Sequence, residues 1–188
     1  NKKSKSLITF KGKPFIYFLL KNVSLAGFKN VVMVVGNDFN EFKNQIDKLN
    51  LNESLNISYS IQDIPNDRSK PFGTADAVSQ TLEKNPKLQS ESFCVCNSDN
   101  LYSVSSLKLI RDNNYENAVL AYDRDSLNFP LERVSSFSIL MLDNQFNLIN
   151  FIEKPTMRQV SENLDEKGKI RVSMNIFKFN GNQAYDFI

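Results

Sequence analysis

Apolar positions along this chain switch repeatedly between two spacings. Val31-Val32-Met33-Val34-Val35 is a continuous β-rich run closed by Gly36, the pattern of a strand covered on both faces. Phe15 to Ala26 instead places Ile16, Leu19, Leu20 and Val23 at helical spacing, and Gly27 follows as a C-terminal stop. Leu7–Phe10 reads as a short strand, Phe42, Ile46 and Leu49 as one face of a second helix, and Ile57–Ile61 as an alternating strand. Thr74 to Leu82 predicts a third helix with Thr74 as its N-cap. Phe93–Cys96, Ser105–Ile110 and Ala118–Tyr122 continue the rhythm as strand, helix and strand. Such alternation predicts a parallel sheet with right-handed crossovers. Leu7–Phe10, Val31–Val35, Ile57–Ile61 and Phe93–Cys96 are expected in one sheet, covered by helices on both sides.

The rhythm changes after Tyr122. Phe137–Leu142 and Leu148–Ile152 read as strands joined by a turn at Asp143-Asn144, and Arg171–Phe179 as a further alternating run. Arg124–Arg133 and Pro155–Lys169 read as polar connections. The expected fold class is therefore α/β, a Rossmann-like three-layer mixed sheet, mostly parallel, with antiparallel additions in the C-terminal part. No repeat or low-complexity linker interrupts the chain, so residues 1–188 are expected to form one domain.

Composition narrows the chemistry. Of 188 residues none is histidine, which removes Ser-His and Cys-His mechanisms and most catalytic zinc sites. A net charge of +2 gives no argument for nucleic acid or membrane binding, and no signal peptide or long apolar run is visible. A cytoplasmic setting is expected. Cys94 and Cys96 share one strand face and read as small core residues. Asp99 follows an apolar strand within Asn97-Ser98-Asp99-Asn100, a place suited to holding a hard cation such as Mg²⁺ through oxygen. An Asp that merely satisfies turn amides is the competing reading. Gly73-Thr74-Ala75 reads as a tight turn feeding a helix, where backbone can approach a flat or anionic ligand.

Six segments in order carry a resemblance. Lys5-Ser6-Leu7-Ile8 followed by Gly12-Lys13-Pro14 resembles the P-K-x-L-L … G-K-P segment of the sugar-phosphate nucleotidyltransferases, the nucleotide-sugar pyrophosphorylases. Val31–Gly36 resembles their second strand, Pro71–Ala77 their P-x-G-T-A segment, and Asn97–Asn100 their metal segment. Phe151–Pro155 resembles V-E-K-P, and Ser173–Phe177 the N-x-G-I-Y strand. The resemblance implies transfer of a nucleoside monophosphate from a nucleoside triphosphate to a sugar-1-phosphate or similar phosphorylated small molecule, with release of pyrophosphate and with Mg²⁺ as cofactor.

By the same resemblance Lys5 and Asp99 are catalytic, with Asp99 the metal ligand. Gln62, Gly73 and Thr74 bind the nucleotide, and Glu153, Lys154, Ser173 and Asn175 bind the acceptor. The family's opening strand and G-x-G-T-R-L loop would precede Asn1, and its second metal aspartate would follow Ile188. Ser173 and Asn175 stand where relatives carry Asn and Gly, and Ser138 where they carry Gly, so the acceptor is not specified. A non-catalytic regulatory or assembly domain of the same fold is the alternative, and a homo-oligomer is compatible with either.

Overall fold

A computed structural model describes residues 5–36, 39–51 and 53–188. It is an α/β protein of two compact units, Asn1–Ala118 with Lys178–Ile188, and Val119–Phe177. The second unit starts close to where the sequence pattern loses its strand–helix rhythm. No helix among the described residues is long and apolar enough to cross a membrane.

In the first unit, Leu7 is buried as expected, but within a 3-10 turn over Lys5–Leu7 rather than in a strand. Strands β1 (Thr9–Phe10) and β2 (Lys13–Pro14) form a small hairpin of their own. Lys11 and Gly12, with φ of 48° and 75°, turn the chain between them. Helix α1 (Phe15–Leu25) then buries Ile16, Leu19, Leu20 and Val23, the four positions its periodicity marks. It ends at Gly27, whose φ of 91° is costly for any residue with a Cβ. The Arg111 side chain fills the space beside that glycine and donates to the Ala26 carbonyl.

Strand β3 (Asn30–Val35) pairs in parallel with β4 (Asn56–Ile61), in register from Asn30 with Asn56 to Val35 with Ile61. Helix α2 (Phe39–Asp47) between them buries Phe42 and Ile46. Helix α3 (Thr74–Lys84) buries Val78, Thr81 and Leu82. Its N-cap is Gly73, not Thr74, which is the first helical residue. Strand β5 (Ser92–Cys96) leads to helix α4 (Val104–Asp112), capped by the Ser103 hydroxyl, which accepts from Ser106 N–H. Cys94 and Cys96 are half-buried free thiols, and burial pushes their pKa values up to about 11 and about 12, so they stay protonated.

The single expected sheet is not what forms. Among the described residues, β1–β2 and β3–β4 are separate two-stranded sheets, and β5 belongs to a third. The physical reason is long-range pairing: β5 takes as its neighbour β9 (Arg171–Asn180), the last strand, which local pattern assigned to the antiparallel addition. The end of β9 is locked into the first unit. Phe179 packs against the Phe93 ring, and Gly181 N–H donates to the Glu91 carbonyl. A Cβ on Gly181 would lie 1.9 Å from the Leu88 carbonyl oxygen, so only glycine allows that approach.

The second unit holds β6 (Ala118–Asp123), the short helix α5 (Leu131–Val134), β7 (Ile139–Leu142), β8 (Leu148–Ile152) and α6 (Met157–Glu162). The expected β7–β8 hairpin is present and antiparallel. Its turn is shaped by Asp143, whose carboxylate accepts from the N–H groups of Gln145 and Asn147 and from the Asn147 amide. Helix α6 lies inside the stretch read as a polar connection. It forms because Thr156 and Gln159 close a capping box and Val160 reaches the core of Ile139, Ile170 and Val172.

Candidate active site

Gln62 follows β4 directly, at the C-terminal edge of a parallel pair, and is 9% exposed. Its backbone N–H donates to the Val35 carbonyl at 2.8 Å. Its side-chain Nε2 donates to Asp76 Oδ2 at 2.6 Å and to the Phe72 carbonyl at 3.2 Å. Asp76 Oδ2 also accepts from Gln80 Nε2 at 3.0 Å. Gln80 in turn grips the Asp63 backbone, accepting from its N–H at 2.7 Å and donating to its carbonyl at 3.2 Å. Lys84, one turn further along α3, donates to the Ile61 carbonyl and to Asp63 Oδ2. Residues 76, 80 and 84 recur at i, i+4, i+8, so one face of α3 clamps the loop that leaves β4.

Phe72 immediately precedes Gly73, so its bond to Gln62 gathers Gln62, Gly73 and Thr74 into one corner of the first unit. Gly73 and Thr74 are exposed there, and a Cβ built on Gly73 meets no atom within 4 Å. Open space over an exposed backbone at a helix N-terminus is what a ligand approaching Gly73 needs.

Asp99 lies in the loop between β5 and α4. That loop is anchored by Tyr102, which is 3% exposed and whose hydroxyl accepts from Asn97 N–H at 3.3 Å and from the Asn100 amide at 3.1 Å. Asn22 of α1 donates to the Tyr102 carbonyl. The Asp99 side chain stays outside this network. Among the described residues its one charged neighbour is Lys5, with Nζ at 3.9 Å from Oδ2, and both side chains are well exposed, 81% for Lys5 and 43% for Asp99. The structure thus brings the two expected catalytic residues together, and among the described residues no turn amide donates to Asp99. Among the described residues no three Asp, Glu, Cys or His side chains gather as a metal cluster. A hard cation at Asp99 would draw its remaining ligands from water and from substrate oxygens, which is the habit of Mg²⁺.

In the second unit, register places the acceptor residues. β7 lies between β8 and β9 and is antiparallel to both, so β8 and β9 run the same way. Ile139 is opposite Ile152 on one side and Val172 on the other. Glu153, just past the end of β8, and Ser173, inside β9 near its start, therefore lie at the same level of this sheet two strands apart, on the order of 10 Å. Glu153 and Lys154 are exposed, and Lys154 has φ of 47°. Ser173 is 6% exposed, and its hydroxyl accepts from Asn175 N–H at 3.1 Å. Asn175 has φ of 56° inside β9. A left-handed residue in a strand is the province of glycine and, next, of asparagine, so Asn175 suits the place that the resembled N-x-G-I-Y segment gives to Gly.

The roles of Asp76, Gln80 and Tyr102 were not visible beforehand. Asp76 and Gln80 are four apart on a predicted helix, a signal of a shared face, but the groups they hold, Gln62 and the Asp63 backbone, lie fourteen and seventeen positions earlier.

Residues 1–186 match the nucleotidyl transferase family, and this chain belongs to it. It is 28% identical over 116 residues to the glucose-1-phosphate adenylyltransferase of Pectobacterium carotovorum, a stretch covering 62% of this chain and 26% of that protein. The chain thus spans about a quarter of the curated relative it matches. Two solved structures share its fold at 15% identity. HddC from Yersinia pseudotuberculosis gives a TM-score of 0.69 over 100% of this chain and 72% of its own. A UDP-glucose pyrophosphorylase complexed with UDP-glucose gives 0.66 over 96% and 69%.

Proposed function

We propose that this chain transfers a nucleoside monophosphate from a nucleoside triphosphate to a sugar-1-phosphate, releasing pyrophosphate. The observation that carries the reading is the Asp99 carboxylate: exposed, at a strand's C-terminal end, uncommitted to its own loop, and beside Lys5. An oxygen of the acceptor phosphate attacks the α-phosphorus, a new P–O bond forms, and the bond from that phosphorus to the bridging oxygen of the β-phosphate breaks. Positioning and charge neutralisation supply most of the rate in such transfers. Asp99 would hold Mg²⁺, which when bound neutralises the triphosphate. Lys5 offers a point charge to the same phosphates. Gln62, Gly73 and Thr74 receive the base and its ribose. Glu153 accepts hydrogen bonds from acceptor hydroxyls, Lys154 faces the acceptor phosphate, and Ser173 and Asn175 shape the wall beside it.

The relatives' names support nucleotidyl transfer onto a sugar phosphate as the reaction class. The test is pyrophosphate release by the full chain with the four nucleoside triphosphates against a panel of sugar-1-phosphates in Mg²⁺. Turnover with one pair, abolished by Asp99→Asn, is the expected result. Nucleotide binding without turnover on any acceptor would favour a regulatory domain of the same fold.

A further inference from the structure

Gln62 is almost completely buried, and both hydrogens of its amide are committed to atoms that can only accept: the Phe72 carbonyl and the Asp76 carboxylate. The orientation of this amide is therefore settled by chemistry, because turning it over would set Oε1 against two acceptors. Asp76 is itself held by Gln80 Nε2, and Gln80 by the Asp63 backbone, so the carboxylate has little freedom to turn away. What Gln62 has left is Oε1, for which the described residues supply no donor.

We infer that Asp76 is a positioning residue that fixes the polarity of nucleobase reading: it turns the Gln62 amide hydrogens inward, so that Gln62 offers only an acceptor and the base must bring an N–H to it. The inference rests on the nucleotide-binding role of this corner given above. Its consequence is a sorting rule. At the purine 6 or pyrimidine 4 position, adenine and cytosine carry an amino donor while guanine and uracil carry an acceptor. At purine 1 or pyrimidine 3, guanine and uracil carry the N–H while adenine and cytosine carry an acceptor. A contact of fixed polarity at either position separates amino bases from keto bases, because the wrong pair leaves Oε1 facing another lone pair. Free to turn over, the same glutamine would accept both pairs.

The test is calorimetric binding of ATP, CTP, GTP and UTP to the full chain, wild type against Asp76→Ala and Asp76→Asn. Wild type should prefer one pair at least tenfold. Asp76→Ala releases the amide and should collapse that ratio at least tenfold. Asp76→Asn still offers an oxygen to Gln62 and should keep the ratio within about threefold of wild type. A second measurement needs no variant: the preferred nucleotide with its edge donor removed, by dimethylation of an amino group or N-methylation of a ring N–H, should bind wild type at least tenfold more weakly. An unchanged ratio in Asp76→Ala overturns the inference, as does an equal loss for all four nucleotides, which would mark Asp76 as merely structural. Equal binding of the methylated analogue overturns it too. Wild type that binds no nucleotide at all overturns instead the nucleotide-binding role itself.

Discussion

Asp165 in the second unit and Asp99 in the first both sit in loops beside strand ends. Asp165 spends its carboxylate on its own chain. Oδ1 accepts from the N–H groups of Lys167 and Lys169 at 2.9 and 2.8 Å. Oδ2 receives Nε and Nη2 of Arg171, each at 2.7 Å. Hydrogen bonds from the Lys169 backbone, then from Arg171, hold its pKa below the usual carboxylate range. Asp99 accepts no comparable bond among the described residues, while Tyr102 does the work of shaping its loop. A carboxylate has about four lone-pair sites. Where the chain fills them, the residue is architectural. Where it leaves them open and builds the loop by other means, the residue is available to a ligand.

Several substitutions press on this contrast. Asp99→Asn should lower pyrophosphate release by about a hundredfold or more, with a thermal midpoint matching wild type. A fall in stability comparable to the fall in rate would erase the distinction between the two aspartates. Lys5→Ala should lower turnover by about tenfold, the scale of one lost charge-assisted contact. Stability should change by no more than about 0.5 kcal/mol, because the Lys5–Asp99 pair is solvent-exposed.

Asp165→Asn should behave in the opposite sense, lowering the thermal midpoint at pH 7. The pH dependence has a definite sign. The folded-state pKa lies below the unfolded value, so the Asp165 carboxylate stabilises fully above pH of about 4 and loses that effect as pH falls through its depressed value. The gap between wild type and Asp165→Asn should therefore narrow in melts below pH of about 4, and a constant gap would contradict the assignment. Gly73→Ala should change stability by no more than about 1 kcal/mol, since an added Cβ meets nothing. Its nucleotide affinity should nonetheless drop several-fold, and an unaltered affinity would remove Gly73 from the binding corner.

Elements with strong local period were legible in the sequence. Helix α1, strands β3 and β4 and the β7–β8 hairpin follow from spacing and turn chemistry alone. Strand partners were not, because β5 pairs with a strand that begins 75 residues after it ends, and nothing in the local pattern of either names the other. Helix α6 escaped because only Val160 of its six residues is buried, too little apolar surface to show a period, and its start rests on a side-chain capping box. Lys5 and Asp99 came separately from motif order, and their approach to 3.9 Å is a feature of the fold that the sequence did not state. Asp76 stood in full view within the Gly73-Thr74-Ala75-Asp76 segment. An acidic residue in a first helical turn has an ordinary explanation in the helix dipole, so its hold on Gln62 is visible only in the folded chain.

The first unit is discontinuous in sequence. Ala184, fully buried against Val78 and Leu82, and Gly181, seated on the carbonyls of Leu88 and Glu91, belong to its core but arrive sixty residues after the rest of it. A ribosome delivers the whole of Val119–Phe177 before it delivers either of them. During synthesis the second unit thus has every residue it needs while the first still presents an uncovered seam along α3 and β5, which closes once Lys178–Ile188 has been made.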